Sequence, residues 1–265
     1  MEIPLYIVDA FTDKAFSGNP AAICPLDKWI ADDLMQAIAA ENNLSETAFL
    51  VPEKDGWALR WFTPTVEVDL CGHATLASAF VLSLVSKAET SRFHFFTKSG
   101  ELQVSRNSGL FTLDFPSRTL DDINNQSLCD KVESALGIRP INICQAGNTW
   151  IAEYGSEQEV KSFSPDFPQV KALDTHALNV TAKGDDCDFV SRFFAPAVGI
   201  DEDPVTGSAH CGLIPYWYRK TGKSDMLARQ VSSRGGELHC KYLGDRVEIS
   251  GNAVLFSQGS ISLAL

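Results

Sequence analysis

A chain of 265 residues with 45% hydrophobic and 21% charged side chains has the composition of a soluble globular protein, long enough for one large domain or two ordinary ones. Its formal net charge of −12 argues against a nucleic-acid partner and against an anionic membrane surface, both of which attract basic proteins. The apolar run Ala74–Val85 falls short of the about 20 residues a bilayer crossing needs, and the seven cysteines include no C-x-x-C pair, which predicts a cytoplasmic protein with reduced thiols.

The N-terminal "EIPLYIVDAF" lacks a basic stretch ahead of its apolar residues and reads as a strand, not a signal peptide. A Gly18-Asn19 turn follows. Asp32–Glu41 has helical spacing, with Leu34, Met35, Ile38 and Ala39 on one side. "ETAFLVP" and "WALRWFT" alternate as strands do. Gly72 then opens a helix that is apolar nearly all round through Leu84, so the helix must be buried on every side. "GELQVSRNSGLFTLDF" closes this half as a hairpin. The polar segment Pro116 to Asn125 suits a linker. Residues 209–218 supply a second helix, expected to be kinked or shorter because of Pro215.

The chain also resembles itself. Arg60–Asp69 aligns without gaps to Arg192–Asp201 with five of ten positions identical. Gly18-Asn19 returns as Gly147-Asn148, Gly72-His73-Ala74 as Gly207-Ser208-Ala209, and Gly100-Glu101-Leu102 as Gly236-Glu237-Leu238, at offsets drifting only from 129 to 136. The reading is two halves of one architecture, residues 1–117 and 118–265, each an α+β curled sheet wrapped around a central buried helix.

The motif Cys71-Gly72-His73 stands at the start of the first buried helix. A structural reading is available, since a buried cysteine often acts as a small hydrophobe. The functional reading rests on the amides and dipole of a helix N-terminus, which favour an anion, and on Gly72, which permits close approach of a ligand. With Gly207-Ser208 at the matching place, two such helix starts facing each other would bind a substrate carboxylate or enolate. A zinc site from Cys71, His73, His210 and Cys211 has the right ligand types but not the spacing of structural zinc modules, so no metal is expected.

Glu46, in "NNLSETAFLV", has no carboxylate counterpart near residue 175. One asymmetric carboxylate in a repeated frame suggests a single proton-handling group, although a surface glutamate reads equally well. Asp203, in "DEDPVTGS", is the second candidate. Set beside another carboxylate and a histidine away from water, its proton affinity would rise toward neutrality, as a general acid–base requires.

"NLSETAF", "DLCGHATLA" and "DEDPVTGSAH" together resemble the PhzF family, phenazine biosynthesis-like isomerases that share a fold with diaminopimelate epimerase and proline racemase. The likeness runs over the whole chain. It implies two pseudo-symmetric halves with the active site in the cleft, and a catalytic set of Glu46, His73 and Asp203, with Ser208. Gly72, Gly207, Ser208, Asn19 and Cys71 would bind a small carboxylate or amino-acid-like substrate. The implied reaction is a proton shift between carbons, with neither metal nor organic cofactor, in a homodimer. Two alternatives stay open: an amino-acid racemase or epimerase working through Cys71, and a non-catalytic small-molecule binding protein. The racemase relatives use two cysteines, and the second place here falls on Val205 or Thr206.

Overall fold

The computed structural model describes residues 1–86, 90–123 and 125–263. Its contacts divide the chain into two compact units, Met1–Asp114 with Ser250–Leu265, and Phe115–Ile249.

The first unit runs β1 (Glu2–Ala10), β2 (Asn19–Pro25), α1 (Asp32–Asn42), β3 (Glu46–Glu53), β4 (Gly56–Phe62), β5 (Glu67–Val68), α2 (Gly72–Val85), β6 (Arg92–Thr97), β7 (Gly100–Asn107) and β8 (Leu110–Pro116). Strand β1 pairs antiparallel with β2, which pairs parallel with β3. β4 joins β3 antiparallel, and its other edge takes β5 antiparallel and β6 parallel. Ten of the fourteen residues of α2 are buried, from Gly72 to Leu82. The small side chains of that run let β1, β2, β3 and β7 close around it. Helix α1 lies on the other side of the sheet. Asp32 and Asp33 in its first turn suit the helix dipole, Asn43 ends it at φ 49°, and Met35, Ile38 and Ala39 pack with Phe49 and Phe62.

The second unit runs β9 (Leu120–Asp122), α3 (Gln126–Leu136), β10 (Asn142–Ala146), β11 (Thr149–Glu153), α4 (Glu157–Ser162), α5 (Phe167–Lys171), β12 (Ala177–Lys183), β13 (Phe189–Ala195), β14 (Ile200–Asp203), α6 (Gly207–Thr221), β15 (Asp225–Gln230), β16 (Gly236–Tyr242) and β17 (Arg246–Gly251). Its pairings follow the same order: β10–β11 antiparallel, β11–β12 parallel, β12–β13 antiparallel, then β14 antiparallel and β15 parallel on the far edge of β13. The aligned arginines behave alike. Arg60 binds both oxygens of Glu67, with its guanidinium 5.2 Å from the Phe62 ring. Arg192 binds both oxygens of Glu202 and sits 5.0 Å from Phe194. Gly18 and Gly147 both take positive φ, 69° and 63°, at the turns that launch β2 and β11.

Three details differ from the sequence reading. The chain's last strand, β18 (Ala253–Ser262), belongs to the first unit and not to a second half ending at 265: it pairs antiparallel with β1 from Glu2↔Ser262 to Ala10↔Ala253. The supposed linker is built into the second unit, with β9 paired to β10 and Ser117 N donating to Asp245 O. The second buried helix is not shorter. At 15 residues, α6 exceeds the 14 of α2. Pro215 has no N–H for the carbonyl of Cys211, and the backbone N–H of Arg118 takes that carbonyl instead at 2.9 Å.

Candidate functional site

In the first unit, folding brings together four residues from three separate stretches of the sequence. Glu46 opens β3, held in register against Ala21 of β2. Asn19 opens β2 after the Gly18 turn, Cys71 is the residue before α2, and His73 is the second residue of that helix. All four are buried. His73 Nε2 lies 3.1 Å from Glu46 Oε2, its Nδ1 lies 3.2 Å from Asn19 Nδ2, and Cys71 Sγ is 3.5 Å from Nδ1 and 4.0 Å from Nε2. The Glu46 contact is an ion pair by distance, but no donor is aligned on Oε2. A buried carboxylate oxygen thus keeps a lone pair that is not spent on a straight hydrogen bond.

The electrostatics follow from burial and charge. Burial pushes the Cys71 thiol up to about 11, and the nearby Glu46 carboxylate adds to the rise against smaller opposing effects of His73 and the Ala74 backbone. Cys71 is therefore a thiol at neutral pH. Burial opposes a charged His73, but the Cys71 sulfur and the Glu46 carboxylate outweigh it and raise its proton affinity well above the usual imidazole range. With Cys71 protonated, Glu46 is the charge that holds the imidazolium. No side chain caps α2, so its first amides are not occupied by a capping side chain.

In the second unit, the predicted Asp203, Gly207 and Ser208 sit together where β14 turns into α6. Asp203 is buried and its Oδ2 accepts a hydrogen bond from the Thr206 hydroxyl. Gly207 is buried and Ser208 is half-buried at the uncapped start of α6. Gln230, at the end of β15, holds the turn from below: its Oε1 accepts from Thr206 N at 2.8 Å, and its Nε2 donates to Asp203 O at 2.7 Å and to Thr206 Oγ1 at 3.2 Å. Sequence reasoning gave Thr206 no part in holding Asp203 and did not single out Gln230. Thr206 lies inside the D-P-x-T-G-S run and was visible there, whereas nothing near Gln230 marks it.

His210 is buried in α6, donates Nδ1–H to Thr206 O at 2.8 Å, and burial lowers it to about 4, so it is neutral. Burial holds the Cys211 thiol at about 11. Among the described residues, one group offers three clustered metal-ligand types: Glu46, Cys71 and His73, whose ligand atoms all lie within 4.8 Å of one another.

The fold recurs among solved structures. A Pseudomonas aeruginosa protein described as a predicted epimerase matches with a TM-score of 0.78 over 99% of this chain and 100% of its own, at 17% identity, which shows a shared fold. A helix wrapped by sheet in each of two units is thus an epimerase-like fold. The profile of phenazine biosynthesis-like proteins matches residues 8–259. A PhzF-family crystal structure from Enterococcus faecalis is 46% identical with a TM-score of 0.96, covering 99% of this chain and 100% of its own. A P. aeruginosa protein named an uncharacterized isomerase is 48% identical over 264 residues, the whole of both chains. The chain belongs to the PhzC/PhzF family of phenazine biosynthesis-like proteins, and its enzyme class is isomerase.

Proposed function

We propose that this isomerase moves a proton between carbons of a small carboxylate or amino-acid-like substrate, with Glu46 as the acid–base group. The observation that carries the reading is the buried Glu46 Oε2, 3.1 Å from His73 Nε2 and without an aligned donor. The C–H bond beside an electron-withdrawing group breaks, its electron pair delocalises into that group, and Glu46 Oε2 takes the proton. The same proton then goes back to a different carbon, so no oxidant, reductant or cofactor enters the balance. His73 orients the carboxylate and balances its charge. Asp203, oriented by Thr206, assists protonation, as the family resemblance implies. The amides at Gly72, Gly207 and Ser208 are suited to a substrate carboxylate, and Asn19 orients His73. The protein is taken to be cytoplasmic and homodimeric, its two units copies of one duplicated architecture. Sedimentation analysis checks the dimer.

Incorporation of deuterium from D₂O, followed by NMR over a panel of amino acids and cyclohexadiene carboxylates, tests the chemistry. Label appearing at a substrate carbon with wild type and with Cys71→Ser, but not with Glu46→Gln, is the expected result. Loss of label only in Cys71→Ser would instead favour a thiol racemase, which the 3.5 Å contact of Cys71 Sγ with His73 Nδ1 makes worth the control. Ligand binding with no exchange in any protein would point to a non-catalytic binding role.

A further inference from the structure

Threonine is favoured just before a helix because its hydroxyl can accept from the first free amides. Thr206 holds that place before α6, yet it makes no such bond. Its hydroxyl donates to Asp203 Oδ2 instead. The surrounding bonds dictate that direction. The Thr206 N–H can only donate, so the Gln230 side-chain atom 2.8 Å from it is the oxygen, Oε1. The other end of that amide is then Nε2, which donates to Asp203 O at 2.7 Å and to Thr206 Oγ1 at 3.2 Å. A hydroxyl has one hydrogen to give. With Gln230 donating to Oγ1, that hydrogen goes to Asp203, the other partner Oγ1 has among the described residues. A half-turn of the Gln230 amide would set Nε2 against the Thr206 N–H and Oε1 against the Asp203 carbonyl, so its orientation is locked. The rest of the turn is pinned as well. The Thr206 carbonyl accepts from His210 Nδ1 and the Pro204 carbonyl from the Ser232 hydroxyl, each at 2.8 Å. Asp203, Thr206 and Gln230 are all buried, so a bond lost among them is not replaced from bulk water.

We propose that Thr206 and Gln230 are positioning residues for Asp203: the Gln230 amide orients the Thr206 hydroxyl, the hydroxyl occupies Oδ2, and a proton carried by Asp203 is thereby confined to Oδ1. Both residues act through Asp203. Such an arrangement suits proton transfer, which needs its donor oxygen within hydrogen-bond reach of the reacting group. It also explains why Thr206 leaves the first amides of α6 without a side-chain cap. The placement of Asp203 stands on these bonds alone, whereas its consequence for turnover rests on the function proposed above.

Carbon-13 NMR of the full-length protein, labelled at its aspartate carboxyls, reads the placement without any substrate, and Asp203→Asn identifies the signal. A hydrogen bond donated to a carboxylate favours its ionised form. Thr206→Val keeps the shape and loses the hydroxyl, so it should move the Asp203 titration to higher pH. Gln230→Met should move it the same way, and Thr206→Ser should return it toward wild type. Circular dichroism confirms that each variant is folded, and Thr206→Ala repeats the test should Thr206→Val fail to fold. Deuterium exchange over the substrate panel reads the consequence. Thr206→Val should lower kcat about 10²-fold with KM little changed, the cost of a misplaced catalytic group. Thr206→Ser should recover most of that loss. Gln230→Met added to Thr206→Val should slow turnover no further, because both work through one hydroxyl. An Asp203 titration unmoved by Thr206→Val overturns the placement. Losses that multiply in the double variant overturn the part given to Gln230. A moved titration with wild-type turnover in Thr206→Val overturns the catalytic consequence. A moved titration in a protein that exchanges protons on no substrate supports the placement and counts against the isomerase chemistry alone.

Discussion

His73 and His210 are both buried, and their surroundings drive them in opposite directions. For His73, the folded protein binds the proton more tightly than an unfolded histidine of pKa about 6.5. Its contribution to stability is therefore full below pH about 6.5 and is lost as pH rises through the higher folded value. In urea titrations across that range, wild type should lose stability with rising pH, and Glu46→Gln should show a flatter dependence. His210 is the reverse case: lowered to about 4 by burial, it refuses a proton that the unfolded chain accepts. Stability should fall by about 3 kcal/mol as pH drops from 6.5 to 4, and His210→Gln should lose that acid limb. For catalysis, Glu46→Gln should fold normally while turnover drops about 10²–10⁴-fold, the usual worth of a general acid–base. Rates near wild type on a genuine substrate would remove Glu46 from the mechanism. Glu46, Cys71, His73 and Asp203 could be singled out as candidates in the sequence because they stand in short, unusual runs. Gln230 could not: it touches the Asp203–Thr206 turn across 24 to 27 residues of chain, and a glutamine in "LARQVSS" carries no local signal.

At the scale of elements, helix α6 shows how closely a helix and its sheet can approach. A Cβ placed on Gly212 would meet the Ala146 Cβ at 2.7 Å and Ile151 Cδ1 at 3.3 Å. Both neighbours belong to strands behind the helix and have little room to move. Gly212→Ala should therefore destabilise by about 1–3 kcal/mol through overpacking, even though alanine is favoured over glycine in a helix by about 1 kcal/mol. Chemical denaturation decides the sign. The buried helix α2 was plain in the sequence because a run apolar on every side has no solvent face to present. Strand β9 was not, since Asp121 and Asp122 are exposed and only backbone pairing to β10 defines it. That Pro215 leaves its helix at full length was hidden for a related reason. A proline's missing donor is visible in sequence, but the Arg118 N–H that rescues the orphaned carbonyl comes from nearly a hundred residues upstream.

For the whole molecule, the first unit is a discontinuous piece of chain, closed by β18 along nearly the full length of β1. Mostly exposed side chains with no clean alternation, "SQGSIS" among them, hide that strand from pattern reading. Truncation after Asn252 should leave β1 with an open edge and the first unit unfolded or aggregating, read by loss of its amide-exchange protection. The closure also fixes an order of events on the ribosome. Strand β1 emerges well ahead of its partner β18, which leaves the exit tunnel on the order of 10–50 s later at ordinary elongation speeds. During that interval the middle of the chain, Phe115–Ile249, has every strand it needs, while the N-terminal segment waits with an unpaired edge. Glu46 and His73 thus depend for their final framework on a strand made after them, and the newborn site cannot take its final form before β18 has been made.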